Sequence, residues 1–382
     1  MSAEVADVAD AVATQSRLAG RAQVVARALI RRIAHPVRRR APETPRRILI
    51  VHHLLLGDTL MLTPLLAKLR ARFPEAEVVM ALPDAFAPLY SGRPYGVRAL
   101  GWNPRAPAAS AVWREPGFDL ALVPGDNRFS WLALALGSRW ITAFAGDRPA
   151  RKSWPVNELR PLPATPAAWT DITATLVDGA APAPYSRSDW QGPPAEAFKS
   201  PEHAYAVLHV GASTLLKQWD AARWMALATT LAAQGLEPVW SAGSGEEAIV
   251  RACDPGSRHR SYAGALALPQ LWRLVANARL LVAPDTGVAH LGRVVATPTV
   301  TLFGPGSASI SGGGEFWRNT PYRAVTVTPF PCRDQRVLFK RELDWVRRCA
   351  RSTAQCPHPR CMDAIDSDAV MAAIGELGVM KT

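Results

Sequence analysis

From residue 46 onward the chain is punctuated by short, unbroken apolar runs, most of them closed by Pro, Gly or Asp. Runs at 48–51, 78–82, 118–124, 140–144, 205–210, 237–241, 280–283 and 297–304 are too short for helices. Their continuous apolar character predicts strands buried on both faces. Between them, apolar residues recur at helical spacing over 60–73, 130–136, 169–177, 221–234 and 266–276. Pro64 falls in the first turns of the 60–73 helix, while Asp220 and Gly235 bracket the 221–234 helix as cap and stop. Strands alternating with helices are the pattern of an α/β fold with a doubly wound parallel sheet. The alternation lapses in a Pro- and Ala-rich stretch, 161–184, and in the Pro-containing stretch 186–203, then restarts. Two α/β domains are therefore expected, at 45–185 and 204–365, with a linker at 186–203 and a closing helix at 366–382.

Ligands of open parallel sheets bind beyond the carboxyl ends of the strands, so the polar turns at those ends are the places to look for chemistry. After the 48–51 strand comes Gly57-Asp58, at a loop-to-helix junction. Asp58 there suits either a plain helix cap or a general base facing a cleft. After 205–210 comes Gly211-Ala212-Ser213-Thr214-Leu215-Leu216-Lys217, small hydroxyl residues with one lysine, a candidate phosphate loop that lacks the GxxxxGK[ST] spacing of an ATPase. Gly243-Ser244-Gly245-Glu246-Glu247 opens another helix after 237–241. After 280–283, Pro284 stops the run and Asp285-Thr286-Gly287 stands where the next helix begins, with His290 one turn in. Free amides at a helix start, a hydroxyl and a glycine make a phosphate cradle, and an ordinary capped helix has the same residues.

The first 44 residues follow a different rhythm. After Glu4, Asp7 and Asp10, a series of arginines from Arg17 to Arg40 interleaves with Leu18, Val24, Val25, Leu29, Ile30 and Ile33. This predicts a basic amphipathic helix ending near His35-Pro36, suited to the surface of an anionic membrane. The segment lacks aromatic residues for base stacking, which argues against a nucleic-acid arm. Composition fits this division. A chain of 382 residues exceeds one typical core, and its formal net charge of +12 points to an anionic partner. No apolar run is long enough to span a bilayer and no secretory leader is evident, so a cytoplasmic protein is expected. Five cysteines, an odd number, indicate thiols rather than a disulfide scaffold. Cys332, Cys349, Cys356 and Cys361 cluster near His358 but without any CxxC, so structural or incidental thiols are expected rather than a metal site.

These pieces, taken in order, resemble the bacterial ADP-heptose:lipopolysaccharide heptosyltransferases of glycosyltransferase family 9. The anchors are ILIVHHLLLGDTLMLTPLLAKLRARFPEAEV, FDLALVPGDNRFSWLALALGSRW, HVGASTLLKQWDAARWMALA, APDTGVAHLGRVVATPTVTLFGPG and the closing CPHPRCMDAIDSDAVMAAI. The resemblance implies two facing Rossmann-like domains (the GT-B fold), here with a basic N-terminal amphipathic extension of 1–44. It implies a metal-independent, inverting transfer with no cofactor, from an ADP-sugar donor to a lipid-linked core oligosaccharide. Asp58 is then the catalytic base, and Ser213, Thr214, Lys217, Ser244, Asp285, Thr286, Gly287 and His290 line the donor, with Gly57 and Thr63 on the acceptor loop. An acidic residue for the ribose is to be sought near Ser244, Glu246 and Glu247. The chain departs from the family at His52 and Leu54-Leu55, where a basic residue and a serine pair are usual. Two alternatives stay open: a transferase of the same fold with another nucleotide sugar or acceptor, and a non-catalytic membrane-surface module. The expected setting is peripheral, on the inner face of the bacterial inner membrane, with residues 17–40 on anionic lipid.

Overall fold

The computed structural model describes residues 19–33, 40–104 and 110–379. Residues 17, 18 and 34–39, which include His35, Pro36, Arg38 and Arg39 of the expected basic helix and its arginine cluster, lie outside the described residues. Residues 19–33 are helical (α1), as the apolar spacing predicts.

The N-terminal lobe begins with β1 (Arg47–Val51) and two consecutive short helices, α2 (Leu56–Leu60) and α3 (Thr63–Arg72). A single 60–73 helix was the expectation. Instead the chain turns helical at Leu56 and breaks at Met61-Leu62, because Pro64 has no N–H to give and is accommodated only in the first turn of a helix. The lobe continues with β2 (Glu77–Leu82), β3 (Val97–Gly101), β4 (Leu120–Val123), α4 (Ser130–Ala135), β5 (Ile141–Phe144), β6 (Glu158–Arg160) and α5 (Trp169–Thr173). Strands β3 and β6 were not expected, being edge strands whose half-exposed patterns carry no buried apolar run. All neighbours pair in parallel in the order β3-β2-β1-β4-β5-β6.

The C-terminal lobe repeats that plan. It comprises β7 (Tyr205–His209), α6 (Ala221–Ala233), β8 (Glu237–Ser241), α7 (Glu247–Cys253), β9 (Arg260–Ser261), α8 (Leu268–Ala276), β10 (Leu280–Pro284), α9 (Gly287–Val294), β11 (Thr299–Phe303), α10 (Ala308–Ser311) and β12 (Tyr322–Thr326). The parallel order β12-β11-β10-β7-β8-β9 has the same topology as the first sheet. In each sheet the order reverses beside the first strand, between β1 and β4 and between β7 and β10. Loops leaving those strands diverge there and open a crevice for a ligand.

One continuous apolar cluster joins the lobes. Trp190, inside the Pro-containing 186–203 stretch, is buried between Tyr90 of the first lobe and Trp272 of the second. Two polar ties reinforce it: the Trp317 indole donates to Thr170 Oγ1 at 2.9 Å, and Asp171 accepts from the Glu315 and Phe316 amides. A small hairpin, β13 (Val337–Leu338) and β14 (Arg341–Glu342), reaches from the C-terminal lobe back to the first. After α11 (Arg360–Asp363), α12 (Ser367–Glu376) closes the chain against the second sheet through Val370 and Ile374.

Candidate active site

The carboxyl ends of β1 and β10 meet where α2 packs on α9. Two glycines permit that approach. A methyl group on Gly57 would stand 2.7 Å from His290 Cδ2, and one on Gly287 would stand 2.9 Å from Leu56 Cβ. Neither residue has a left-handed φ, so close packing rather than backbone freedom selects glycine at both.

Asp58 occupies the third position of α2, where its Oδ2 accepts the Leu55 amide at 3.3 Å. The capping role is therefore present, though long. Burial pushes the Asp58 pKa up to about 6; the Leu55 hydrogen bond opposes this, Asp285 across the cleft adds to it, and Lys217 and Arg348 oppose it. Desolvation is the dominant cause, since moving a carboxylate out of water disfavours its charged form.

Facing Asp58 is the start of α9. Neither Asp285 nor Thr286 caps it: no side chain accepts from the first turn. Asp285 instead pairs with Lys217, whose Nζ donates to Asp285 Oδ2 at 3.0 Å and to its carbonyl at 2.6 Å. The Thr286 hydroxyl is buried without a partner. The first-turn amides of a helix have no carbonyl of their own helix to donate to. An orphaned hydroxyl, a lysine and an uncapped helix start converge on one spot, the donor set an oxyanion requires.

The loop after β7 lies alongside. Thr214 caps its own short turn by accepting from Leu216 N at 3.4 Å, and Ser213 is exposed at the loop surface. Three residues near the end of β8 were candidates for ribose contacts, and their side chains diverge. Glu246 reaches back over the β7 end: a methyl on Gly211 would stand 2.2 Å from its Oε2, which also accepts Gly243 N at 2.7 Å. Glu247 turns away, accepting Gly245 N and crowding Gly264, and Ser244 is exposed.

His290 sits in the wall of the cleft. The fully buried Arg293 donates to its Nδ1, and burial together with the Arg293 and Lys217 charges holds its pKa well below the usual histidine range. The ring is thus neutral, with the proton on Nε2 beside Gly57. Thr63 is fully buried and spends its hydroxyl on the Leu60 carbonyl at 2.6 Å, so it lies inside the lobe rather than on the cleft. His52, where the family usually has a basic residue, is buried with both ring nitrogens unpartnered, and burial lowers its pKa to about 3. The ring therefore carries no positive charge at neutral pH.

Two arginines escaped sequence reasoning. Arg348 bears on the Asp58 charge although it lies about 290 residues away in the chain, a separation no local pattern reports. Arg341, on the crossing hairpin, is buried in the first lobe. It donates to Gly125 O and Asn127 Oδ1 at 2.7 Å each and to Ala145 O at 3.0 Å, fixing the loop that follows β4.

Cys332, Cys349, Cys356 and Cys361 do come together, lining a cavity of about 310 Å³ beside Pro305 and Leu216. Among the described residues, no group of three or more His, Cys, Asp or Glu side chains is arranged to hold a metal ion.

Two Rossmann-like lobes whose strand ends face each other across a cleft define the GT-B type of glycosyltransferase fold. Residues 118–315 match glycosyltransferase family 9 (heptosyltransferase), and the chain belongs to that family. It is 27% identical over 329 residues to lipopolysaccharide heptosyltransferase 1 of Pseudomonas aeruginosa, covering 78% of this chain and 92% of that protein. It shares its fold with Escherichia coli heptosyltransferase WaaC with ADP-2-deoxy-2-fluoro heptose, at a TM-score of 0.60 and 17% identity, over 86% of this chain and 99% of WaaC. The iron-containing dodecameric glycosyltransferase TibC of enterotoxigenic E. coli also shares the fold, at a TM-score of 0.53 and 16% identity, covering 89% and 78% of the two chains.

Proposed function

We propose that this chain transfers a heptose from an ADP-sugar to a lipopolysaccharide core acceptor, with inversion at the anomeric carbon and Asp58 as general base. The observation that carries this reading is the facing of a desolvated carboxylate, Asp58, by Lys217, Thr286 and the uncapped start of α9. In the proposed step the acceptor hydroxyl oxygen bonds to the anomeric carbon while the bond from that carbon to the diphosphate breaks on the opposite side. The hydroxyl proton passes to the Asp58 carboxylate and ADP leaves. Lys217, the α9 amides, Ser213, Thr214 and the Thr286 hydroxyl take up the charge that develops on the diphosphate. Glu246 is assigned to the ribose, because it alone of the three candidates turns toward the β7 end. The neutral His290 packs the donor side. With these groups neutralising the leaving group, the step needs no divalent ion or cofactor, and a chelator should leave the rate unchanged. A chelator that abolished transfer would require a metal-assisted step instead.

The acceptor in this reading is an anionic, lipid-linked oligosaccharide at the inner face of the inner membrane. The protein meets the bilayer peripherally through residues 17–40; no helix among the described residues is long and apolar enough to cross it. Nucleic acid has no part.

Thermal stabilisation by ADP, UDP, GDP and CMP, with Asp285→Ala in parallel, tests the donor site. A shift by ADP alone, lost in the variant, is the expected result. A shift by UDP or GDP alone would overturn the ADP-heptose donor in favour of a same-fold transferase for another sugar. No shift by any nucleotide would leave a non-catalytic membrane-surface module.

A further inference from the structure

On the first lobe, at the end opposite the catalytic cleft, the amino ends of β1, β4 and β5 and the end of α1 enclose a cavity of about 540 Å³. Arg31 and Arg32 of α1, Arg46 and Arg47 at the start of β1, and Arg139 before β5 all line it. Its one lining carboxylate, Asp119, is already engaged by the Arg46 and Arg47 amides and by Arg139 at 3.8 Å. The Ser138 hydroxyl, which also lines the cavity, is nine-tenths buried and has no hydrogen-bond partner. The Arg47 guanidinium is engaged by Glu77 and Glu115, each at 2.7 Å, so the charge in excess there comes from Arg31, Arg32 and Arg46. Guanidinium charge around an orphaned hydroxyl is the chemistry that holds a phosphate.

The helix that brings Arg31 and Arg32 there has a second face. Val24 and Ala28 anchor α1 in the lobe's core, and Arg27 stacks on Trp113 at 4.4 Å. The opposite side is apolar and uncovered. At 100° per residue, Ala22, Val25, Ala26, Leu29, Ile30 and Ile33 fill one contiguous sector with no charge among them. Leu29, Ile30 and Ile33 are 51%, 66% and 87% exposed. Arg21 and Arg32 border the sector on one side, Gln23 and Arg27 on the other. Next in the chain to Pro155 of the cavity wall, Trp154 is 70% exposed, an amphipathic ring of the kind that settles at a headgroup layer. Arg32, at one edge of that apolar sector, also lines the cavity. A surface with an apolar stripe, flanking arginines and an anion pocket at its edge matches a bilayer, which presents acyl chains and phosphate in that same order.

We infer that α1 and the arginine-lined cavity form a docking site for an anionic bilayer, the cavity taking the phosphate of a phospholipid headgroup. The inference rests on the membrane part of the proposed function and is independent of the transfer chemistry. It orients the protein, since the docked face belongs to the lobe that carries Asp58.

Sedimentation of the full-length protein with vesicles tests it, using phosphatidylcholine alone and phosphatidylcholine mixed with phosphatidylglycerol, at physiological ionic strength. The wild type should partition onto the mixed vesicles and not the neutral ones. Arg32→Glu should lower that partition by roughly tenfold, because reversing a charge at the surface removes one attraction and adds one repulsion. Arg251→Glu, the same charge change on the far lobe, should leave it within about twofold. Leu29→Asp should also release the protein. Melting temperature and the ADP-induced shift, followed in each variant, confirm that fold and donor site survive, so a failure here is separable from failure of the transferase reading. Equal loss in Arg32→Glu and Arg251→Glu would overturn the site in favour of diffuse charge attraction. So would stabilisation by inorganic phosphate that depends on Arg32 with no binding to anionic vesicles, which would define a pocket for a soluble anion.

Discussion

At the scale of single residues, the cleft is organised by what each charged group loses on leaving water. Asp58 has its pKa raised from 3.8 to about 6, so the base form fills only above that value. We therefore expect kcat/KM for the free enzyme to rise with pH through about 6 and level off at neutrality, as a rate profile would show. Asp58→Asn removes the proposed base and should lower kcat by a few orders of magnitude, on the order of 10²–10⁴. The stability effect runs the other way. Between pH 3.8 and about 6 the folded state holds a proton that the unfolded state has given up, so stability falls as pH rises through that window and stays lower above it. A shift of this size corresponds to at most about 3 kcal/mol, which solvent reaching the partly accessible carboxyl lowers to about 1–2. Asp58→Asn should accordingly melt higher than wild type at pH 7 and show no difference below pH 4. Equal melting temperatures at both pH values would mean the carboxyl is not desolvated. Lys217→Ala should weaken ADP binding by roughly 10- to 100-fold in a titration, since it removes a charge-assisted donor and leaves the buried Asp285 unpaired.

At the scale of elements, the meeting of α2 and α9 sets the width of the cleft. Each helix contributes a glycine where its partner presses, with no room for a methyl group between Gly57 and the His290 ring. Gly57→Ala or Gly287→Ala should push the two first turns apart. The expected outcome is a loss of activity of tenfold or more with a change in stability of about 1–3 kcal/mol, the usual cost of overpacking. A variant with full activity would show that the two helices need not touch during turnover. The local sequence speaks for α9, because Pro284 and Asp285-Thr286-Gly287 punctuate its start. It misplaces α2, whose N-cap Leu55 has no capping side chain of its own, its amide being met only by Asp58, three residues on.

At the scale of the whole molecule, the lobes are tied by pieces of chain far apart in sequence. Arg341 crosses from the C-terminal half to bind Gly125, Asn127 and Ala145 in the first lobe, completely buried and 3.8 Å from Asp147. Arg341→Ala would strand the Asn127 oxygen and these carbonyls without donors. It should cost on the order of 3–5 kcal/mol, seen as a lower midpoint in denaturant, and should also weaken acceptor use by loosening the loop after β4. An unchanged midpoint would show that the hairpin is an ornament. The same packing explains the tryptophan content: Trp190, Trp272 and Trp317 lie between the lobes, where large rings fill the joint and their N–H groups find partners such as Leu89 O and Thr170.

What the amino-acid sequence determined by itself is whatever chain-local physics encodes. Runs such as Leu280–Pro284 specify buried parallel strands because water excludes an unbroken apolar segment, and Gly57-Asp58 and Asp285-Thr286-Gly287 mark the strand ends because turns need those residue types. The alternation of strands and helices puts both motifs at the carboxyl ends of parallel strands, the edge where open sheets bind ligands. The rest depends on approach through space. Only the folded protein decided that Glu246 rather than Glu247 turns toward the β7 end, that Thr63 is spent inside its lobe, and that Arg348 bears on Asp58. It also decided that Ser138 and the arginines flanking α1 enclose one cavity. Burial, and with it pKa and hydrogen-bond satisfaction, is a property of neighbours brought together by tertiary packing, and spacing along a chain carries no record of them.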